Sequence, residues 1–208
     1  MRILAIGSHP DDIEFGCAGT LIKASQYGHE VSILVMTRGG YGEREEVRAA
    51  EQEEAARLMG AQKVFWGDYE DTRIPMGTET IQFIESVITN VGPDLIFVHS
   101  PRDTHQDHRH LAQATNSATR YVKSVLYYEG PTTQDFGPTV FEDIGGIIEE
   151  KLRALQAHSS QVMKTRVEDQ SILDVARSTA NYRGIQSRVK YAEAFLSSRL
   201  FLSIKDRK

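Results

Sequence analysis

Short apolar runs alternate with segments of helical periodicity along the first part of the chain, and this alternation constrains the fold more than any other feature. The runs lie at residues 3–6, 31–36, 63–66 and 94–98. Each run is followed by a segment in which apolar residues recur at helical spacing. Four such strand–helix repeats predict an α/β fold, namely a Rossmann-like, mostly parallel sheet with helices on both faces and right-handed crossovers.

The alternation loosens in the C-terminal part of the chain. We predict an edge strand at residues 139–144, a helix at 147–156 and a second helix at 167–187. The second helix would bury one face, made of Ile172, Val175, Ala176, Thr179 and Tyr182. A chain of 208 residues is long enough to bury a core of its own, and we expect one domain over residues 1–208.

The loop after the first apolar run carries an imidazole and two adjacent carboxylates, His9, Asp11 and Asp12. Pro10 fixes its own φ and pushes His9 towards extended geometry, so His9 and Asp12 can converge on one point. Convergent histidine and aspartate are typical of a zinc site, although a surface turn in which Asp12 caps the next helix would contain the same residues. No Gly-x-Gly-x-x-Gly motif follows this strand, which argues against a dinucleotide cofactor.

A second loop of the same kind follows the fourth apolar run. It carries His105, Asp107 and His108, and a helical pattern follows it. The carboxyl ends of parallel strands lie at one edge of a sheet, where open α/β sheets bind ligands, so we expect the two loops to meet there. We therefore predict a metal site at the C-terminal edge of the strands. Three protein ligands with an open fourth position would make that site catalytic.

The two motifs, His9-Pro10-Asp11-Asp12 and His105-Gln106-Asp107-His108, resemble the signature of the LmbE-like or PIG-L family of zinc-dependent N-acetylglucosaminyl deacetylases. Segments at residues 37–42, 48–60, 151–161 and 183–195 resemble other parts of that family, so the resemblance covers most of the chain. It implies a small-molecule substrate, an N-acetylated sugar. It also implies one Zn²⁺ ion per chain, or another divalent metal, bound by His9, Asp12 and His108.

Roles for polar residues near the motifs follow from the resemblance and the chemistry. Asp11 is not needed as a ligand and would act as the general base for the attacking water. His105 would stabilise the oxyanion or donate a proton, with Asp107 as its orienting partner. Mycothiol-type members have a tyrosine at the position of Asp103. The residues expected to contact the substrate are Arg48, Asp71, Arg102 and His158.

Three of these contacts have alternatives. Arg48 could instead form an intrahelical pair on an exposed helix face. Its candidate partners there are Glu45, Glu51 and Gln52. Asp71 could be a solvated loop carboxylate, and His158 could cap the helix at whose end it lies.

Composition argues against several classes of protein. The formal net charge of -5 and the lack of a long basic run argue against a nucleic acid or an anionic membrane as partner. No apolar run approaches the ~20 residues of a membrane span. The single cysteine, Cys17, allows no internal disulfide, and we expect it to be a small buried residue rather than a metal ligand. We therefore expect a cytoplasmic protein, and we also expect a homo-oligomer.

The leading hypothesis is an enzyme that removes the acetyl group from an N-acetylglucosamine-type moiety of a glycoconjugate or a nucleotide sugar. One alternative is hydrolysis of a different N-acyl amine. Another is a metal-binding or carbohydrate-binding module without turnover. Asp11 favours the enzyme, because a module that only binds has no use for a base beside its ligands.

Overall fold

The computed structural model describes residues 1–202. Its strands are β1 (Arg2–Gly7), β2 (Glu30–Thr37), β3 (Lys63–Tyr69), β4 (Leu95–His99), β5 (Val125–Tyr128), β6 (Val140–Asp143) and β7 (Ala192–Arg199). Its helices are α1 (Asp12–Gln26), α2 (Glu45–Met59), α3 (Thr78–Val91), α4 (Gln106–Ala118), α5 (Ile148–Gln156) and α6 (Ile172–Ser187). Within residues 1–202, no helix combines the length and the apolar character that crossing a bilayer requires.

The strands form one mixed, mostly parallel sheet in the order β3-β2-β1-β4-β5-β7-β6. The first five strands are parallel to one another, whereas β7 runs antiparallel to both β5 and β6. Because β7 lies between β5 and β6, the sheet ends in the short strand β6. This agrees with the edge strand predicted at residues 139–144.

Helices cover both faces of the sheet. Alternate side chains of the central strands therefore pack into two separate cores, one on each face. Ile3 and Ala5 of β1 pack with apolar residues of α1, α2 and α5 on one face. Leu4 and Ile6 pack with apolar residues of α3 and α4 on the other. Burial on both faces is the reason that parallel strands appear in the sequence as continuous apolar runs. The predicted α/β fold is therefore confirmed.

The loops that follow the parallel strands gather at one edge of the sheet. The Ser8 carbonyl, just after β1, accepts a hydrogen bond of 2.9 Å from the N–H of Thr37 at the end of β2. Just after β4, the N–H of Ser100 donates to the Tyr128 carbonyl at the end of β5, also at 2.9 Å. These bonds hold the first motif loop against β2 and the second against β5. Both loops are therefore anchored to the sheet rather than free.

The C-terminal helices agree with the sequence in part. α5 (Ile148–Gln156) confirms the helix predicted at 147–156. The second predicted helix begins at Ile172 instead of 167, because Ser171 and Asp174 form a reciprocal capping box that starts α6. Tyr182 is 59% exposed, so its place on the buried face was wrong. The residues of α6 that are buried are Ala176, Ala180, Arg183 and Gly184.

Strand β7 was not predicted as a strand. Its sequence, AEAFLSSR, is rich in small and polar residues, and its burial does not alternate because the first four residues are all buried. Pairing with strands on both sides outweighs the weak strand propensity of alanine, serine and glutamate. The strand is therefore specified by its neighbours in the sheet rather than by its own pattern.

A buried ion pair, here called the α1 clamp, joins the C-terminal elements to the middle of α1. It consists of Lys151 of α5 and Glu193 of β7, whose Nζ and Oε1 atoms lie 2.5 Å apart. Both side chains also bond to backbone groups of α1. Lys151 donates to the carbonyls of Glu14 (3.2 Å) and Phe15 (2.6 Å), and Glu193 accepts from the N–H groups of Gly19 (2.8 Å) and Thr20 (2.7 Å). The pair therefore fixes the helix that follows the first motif.

Candidate active site

The structure brings together the three residues predicted as metal ligands. His9 and Asp12 come from the turn between β1 and α1, and His108 comes from the first turn of α4. His9 Nδ1 lies 3.3 Å from Asp12 Oδ2, and His108 Nε2 lies 3.3 Å from Asp12 Oδ1. His9 and His108 are both buried. Each histidine therefore presents one ring nitrogen to the Asp12 carboxylate.

The other ring nitrogen of each histidine faces a different carboxylate. His9 Nε2 lies 3.1 Å from both Asp71 Oδ1 and Asp107 Oδ2. His108 Nδ1 lies 3.2 Å from Asp103 Oδ1. Carboxylates on the outer nitrogen fix the ring orientation and tautomer of metal-ligating histidines. With the outer nitrogens so placed, Nδ1 of His9 and Nε2 of His108 remain for a cation.

The Asp107 carboxylate is placed differently from the prediction, which paired it with His105. It accepts hydrogen bonds from the N–H groups of Thr72 (2.8 Å) and Ile74 (3.1 Å), and it contacts His9. The physical reason is helical geometry, since side chains two residues apart in a helix do not face each other. The Asp107 carboxylate therefore orients His9 rather than His105.

The donor set fits a divalent cation. Ligand atoms in a tetrahedral zinc site with bonds of about 2.0–2.1 Å are about 3.3 Å apart, and each histidine nitrogen lies 3.3 Å from a different oxygen of Asp12. Without a cation the cluster binds protons instead. Burial alone would lower the pKa of His108, but the Asp12 and Asp103 carboxylates outweigh it and raise this pKa to about 9. An excess of buried carboxylates over cationic groups therefore attracts positive charge to this point.

His/Asp groups that could hold a metal overlap at this edge of the sheet. Three such groups occur among the described residues, each with ligand atoms within 4.8 Å of one another. They are His9, His105 and His108; Asp12, His99 and His108; and His9, Asp71 and Asp107. No single one of these three groups contains His9, Asp12 and His108 together, so it is the cluster as a whole that is able to bind a metal ion.

Asp11 lies beside the cluster but outside it. It is the N-cap of α1, and its backbone is in the left-handed region with φ 96° and ψ -21°. Its side chain keeps 29% of its surface exposed, and Oδ2 lies 3.2 Å from Arg48 Nη2. Withdrawal of the rest from water raises the pKa of Asp11 to about 6, although the Arg48 guanidinium opposes this shift. A carboxylate with these properties can accept a proton at neutral pH.

His105 is held in one tautomer by the start of α4. It is the N-cap residue, and its Nδ1 accepts a hydrogen bond of 3.2 Å from the N–H of Asp107. Burial lowers the pKa of His105, and repulsion from the neighbouring His9 lowers it further. The neutral ring therefore carries its proton on Nε2. Its centroid lies 4.8 Å from that of His9 and 4.7 Å from that of His108.

Arg48 does not form the intrahelical pair considered for it from the sequence. It is buried, and its Nη1 donates to the Gly39 carbonyl at 3.3 Å while Nη2 donates to the Pro10 carbonyl and contacts Asp11. An exposed intrahelical pair is therefore wrong. Two of the expected partners are engaged elsewhere, since Gln52 donates to Glu14 at 2.7 Å and Glu51 accepts from Ser160. The Arg48 guanidinium is thus enclosed by the protein's own groups.

The other predicted substrate contacts differ in their surroundings. Asp71 is buried and accepts a hydrogen bond of 2.9 Å from the N–H of Tyr41, so it is not a solvated loop carboxylate. Arg102 is 68% exposed and lies 3.8 Å from Asp135. His158 is only 1% exposed, with Nε2 3.4 Å from Glu14 Oε2. Burial alone would lower the pKa of His158, but the Glu14 carboxylate raises it.

Cys17 is fully buried within α1 and lies outside the His/Asp cluster. Burial raises the pKa of the Cys17 thiol well above its usual value, and Glu193 raises it further. A thiol in this state is a poor metal ligand. The prediction of a small buried residue is confirmed.

Sequence reasoning missed two residues of the cluster, His99 and the His108-orienting Asp103. His99 ends β4, and its Nε2 lies 3.1 Å from Asp12 Oδ2. Its ring stacks on that of His108, with centroids 3.9 Å apart and planes 11° apart. Asp103 is held by the hydroxyls of Thr132 (2.7 Å) and Thr133 (2.8 Å). The available signal was position, because His99 is the last residue of a parallel strand and Asp103 lies in the loop that follows it.

A mostly parallel α/β sheet with a His/Asp cluster at its carboxyl edge places this chain among proteins with the LmbE-like deacetylase fold. The structure of N,N′-diacetylchitobiose deacetylase from Pyrococcus horikoshii is similar, with a TM-score of 0.82 and 27% identity. The similarity covers 94% of this chain and 82% of that one. The sequence matches the family model PIG-L, GlcNAc-PI de-N-acetylase, over residues 4–119. This chain belongs to the PIG-L family.

Relatives across most of the chain carry deacetylase names. The chain is 35% identical to the uncharacterized deacetylase YaiS of Escherichia coli K12, over 76% of this chain and 90% of that protein. It is 28% identical to diacetylchitobiose deacetylase of Thermococcus kodakarensis, over 92% of this chain and 81% of that protein. The family to which this chain belongs is therefore one of deacetylases.

Proposed function

We propose that this protein is a zinc-dependent hydrolase that removes the acetyl group from an N-acetylglucosamine-type moiety of a glycoconjugate or nucleotide sugar. The observation that carries the proposal is the placement of two histidines around Asp12. Each turns one ring nitrogen towards Asp12 and the other towards a separate carboxylate. The names of the diacetylchitobiose deacetylases support a sugar acetamide as the substrate class.

His9, Asp12 and His108 would hold the cation in this proposal. When bound, a zinc ion lowers the pKa of water towards neutrality and polarises the acetyl carbonyl. Two imidazoles and one carboxylate are a common zinc donor set, and other divalent cations accept the same ligands. Asp71, Asp103 and Asp107 would keep the histidine rings in place.

Asp11 would take a proton from water as the water oxygen adds to the acetyl carbon. It would return that proton to the amide nitrogen as the carbon–nitrogen bond breaks, so that acetate and a free amine leave. The Nε2–H of His105 would donate to the carbonyl oxygen as that oxygen gains negative charge. The tautomer imposed by the N–H of Asp107 supports this role, because it keeps a donor on Nε2.

Asp71 and Arg102 are the proposed sugar contacts. Asp71 lies next to His9, and its carboxylate can accept a hydrogen bond from a sugar hydroxyl near the reacting acetyl group. Arg102 follows β4 and is exposed, so it can reach a polar group outside the cluster. We assign Arg48 and His158 no direct contact with the sugar, because the Arg48 guanidinium is engaged by Gly39, Pro10 and Asp11, and His158 faces Glu14.

The test is metal analysis followed by measurement of amine release. The protein is stripped with a chelator, reloaded with Zn²⁺, and offered N-acetylglucosamine, diacetylchitobiose and a nucleotide-linked N-acetylglucosamine. We expect about one metal ion per chain and release of a primary amine with acetate. Metal binding without amine release on any N-acyl substrate would favour a binding module. Less than about one ion per chain after reloading would overturn the ligand assignment.

We also propose that the protein works in the cytoplasm as a homo-oligomer. The buried, unpaired Cys17 is compatible with a reducing compartment. Apolar side chains at the surface, among them Tyr121 at 91% exposure and Leu202 at 75%, supply area that a second copy could cover. Light scattering coupled to size-exclusion chromatography measures the oligomeric state, and a monomer at micromolar concentration would contradict this part of the proposal.

A further inference from the structure

We infer that Arg48 is a positioning residue that holds Asp11 in its working orientation, rather than a residue that binds substrate. The inference rests on the proposed function for the role of Asp11 as base. That Arg48 fixes the position of Asp11 is inferred only from the contacts of the Arg48 guanidinium. Nη2 contacts the Asp11 carboxylate at 3.2 Å and donates to the carbonyl of Pro10, the residue before it.

The backbone of Asp11 needs such a contact. Its φ of 96° lies in the left-handed region, which residues other than glycine adopt only where the surrounding structure holds them. Its carbonyl accepts a hydrogen bond of 3.0 Å from the N–H of Phe15, but its side chain makes no capping hydrogen bond, so the start of α1 leaves the carboxylate unrestrained. Arg48 contacts both the carbonyl of the Pro10–Asp11 peptide and the side-chain carboxylate of Asp11. It therefore restrains both the backbone and the carboxylate of the proposed base.

The surroundings of Arg48 leave its guanidinium one place to lie. Its side chain is 6% exposed, and Nη1 donates to the Gly39 carbonyl at 3.3 Å. A Cβ at Gly39, whose φ is 69°, would overlap the guanidinium, and a Cβ at Gly42 would lie 2.8 Å from Nη1. Nε is buried without a hydrogen-bond partner among the described residues. A buried N–H without an acceptor lowers the stability of the fold, so stabilisation of the fold alone does not explain an arginine at this position.

Two side chains of α2 contact residues around Asp12 of the first motif, one before it in the sequence and one after it. Arg48 and Gln52 are four residues apart and lie on one face of α2. Arg48 holds Asp11, the residue before Asp12, while Gln52 donates to Glu14, two residues after it, at 2.7 Å. The helix thus sets the orientation of the turn that carries both the proposed base and a proposed ligand.

The first test separates positioning from substrate binding by kinetics. In Arg48→Met and Arg48→Lys we expect kcat to fall by about 100-fold, the scale of a misplacement of about 1 Å, with KM and metal content unchanged. In Arg48→Ala, guanidinium ion added to the assay should restore part of kcat by entering the vacated space. A rise in KM at unchanged kcat would overturn the inference and make Arg48 a substrate contact.

A second variant moves the guanidinium without removing any charge. Gly42→Ala places a methyl group 2.8 Å from Nη1 of Arg48 and 2.9 Å from Oε1 of Gln161. Combined with Gln161→Ala, it leaves only the contact with Arg48, and it should lower kcat in the same way at unchanged metal content. Gly146→Ala is the matched control, because no atom lies within 4 Å of its added Cβ. Normal kcat in a folded double variant that has kept its metal would count against the inference.

A crystal structure of Arg48→Met distinguishes failure of this inference from failure of the proposed function. If the wild-type protein releases no amine, the proposed function fails, but the position of Asp11 still decides the role of Arg48. Departure of Asp11 from the left-handed region, or rotation of its carboxylate, supports the inference. An Asp11 that keeps its φ and its carboxylate position without Arg48 overturns it.

Discussion

At the scale of single residues, Asp12 is the point on which the candidate site converges. Its Oδ2 lies 3.1 Å from His99 and 3.3 Å from His9, and its Oδ1 lies 3.3 Å from His108. Burial alone would raise the pKa of Asp12, but the surrounding histidines hold it well below its ordinary value. The carboxylate therefore stays ionised, as a metal ligand must be.

Removal of a ligand and removal of the base should have different effects. His108→Ala should lose metal and activity together, because it deletes one of three proposed ligands. Asp11→Ala should keep its metal and lose about 100-fold or more in kcat, the usual scale for a general base. Metal content by atomic emission and steady-state kinetics make the comparison. Normal activity in Asp11→Ala would remove the base from the mechanism.

His99 should affect metal affinity without being one of the proposed ligands. His99→Phe keeps an aromatic ring against His108 but deletes the nitrogen 3.1 Å from Asp12. We expect metal affinity to fall by about 10-fold to 100-fold, the range for groups that orient ligands. Competition with a chromophoric chelator measures the metal affinity of the variant and of the wild-type protein. His29→Phe is the control, since His29 contacts the N-terminal amine at 3.0 Å and should leave the affinity unchanged.

Residue types at the site could be predicted from the sequence, whereas side-chain directions could not. Two His/Asp motifs after parallel strands were enough to predict that the two loops meet, and the resemblance to the PIG-L family singled out His9, Asp12 and His108 as the ligands. Whether Arg48 faces solvent, ligand or Asp11 depends on how α2 packs against α1, and no local pattern records that packing. The direction of Asp107 is an exception, because helical spacing alone argues against its predicted pairing with His105.

At the scale of elements, α6 offers a clean test of a helix start. Ser171 Oγ accepts a hydrogen bond of 3.2 Å from the N–H of Asp174, whose carboxylate accepts in return from the N–H of Ser171 at 3.2 Å. Ser171→Ala should lower the free energy of unfolding by about 1 kcal/mol, because it leaves the Asp174 N–H without its cap. Urea denaturation measures it.

The matched control for this prediction is Ser178→Ala, at an exposed position inside α6. Alanine is the better helix former there, so stability should hold or rise slightly. Equal losses in the two variants would show that the capping box does not set the start of α6.

Elements with a strong apolar pattern were predictable, and those defined by their neighbours were not. The parallel strands and the helices that follow them bury side chains on known periods, which the sequence carries directly. Strand β7 has no such pattern and owes its form to pairing with β5 and β6. On the face predicted for α6, Ala176 is buried and Ile172 and Val175 pack against the core, whereas Tyr182 is exposed.

At the scale of the whole molecule, zinc should stabilise the fold. The proposed ligands come from β1–α1 and α4, so a cation joins segments that are far apart in the chain. At a free zinc concentration 100 times Kd, mass action gives about 2.7 kcal/mol. For a chain of this size, this raises Tm by about 5 to 10 °C. Differential scanning fluorimetry with and without zinc measures the shift, and His108→Ala should show none of it.

The α1 clamp has a consequence for the order in which the molecule can be completed during synthesis. The N–H of Gly19 and its acceptor Glu193 are 174 residues apart, and β7, which carries Glu193, inserts between two strands made earlier. Every motif residue has therefore left the ribosome well before the helix that follows the first motif receives its last partner. Until then Lys151 has no counter-charge from β7, and a buried cation without one is strongly unfavourable. Between the synthesis of His108 and that of Glu193, the nascent chain thus carries the complete set of proposed zinc ligands without the finished fold that would hold them.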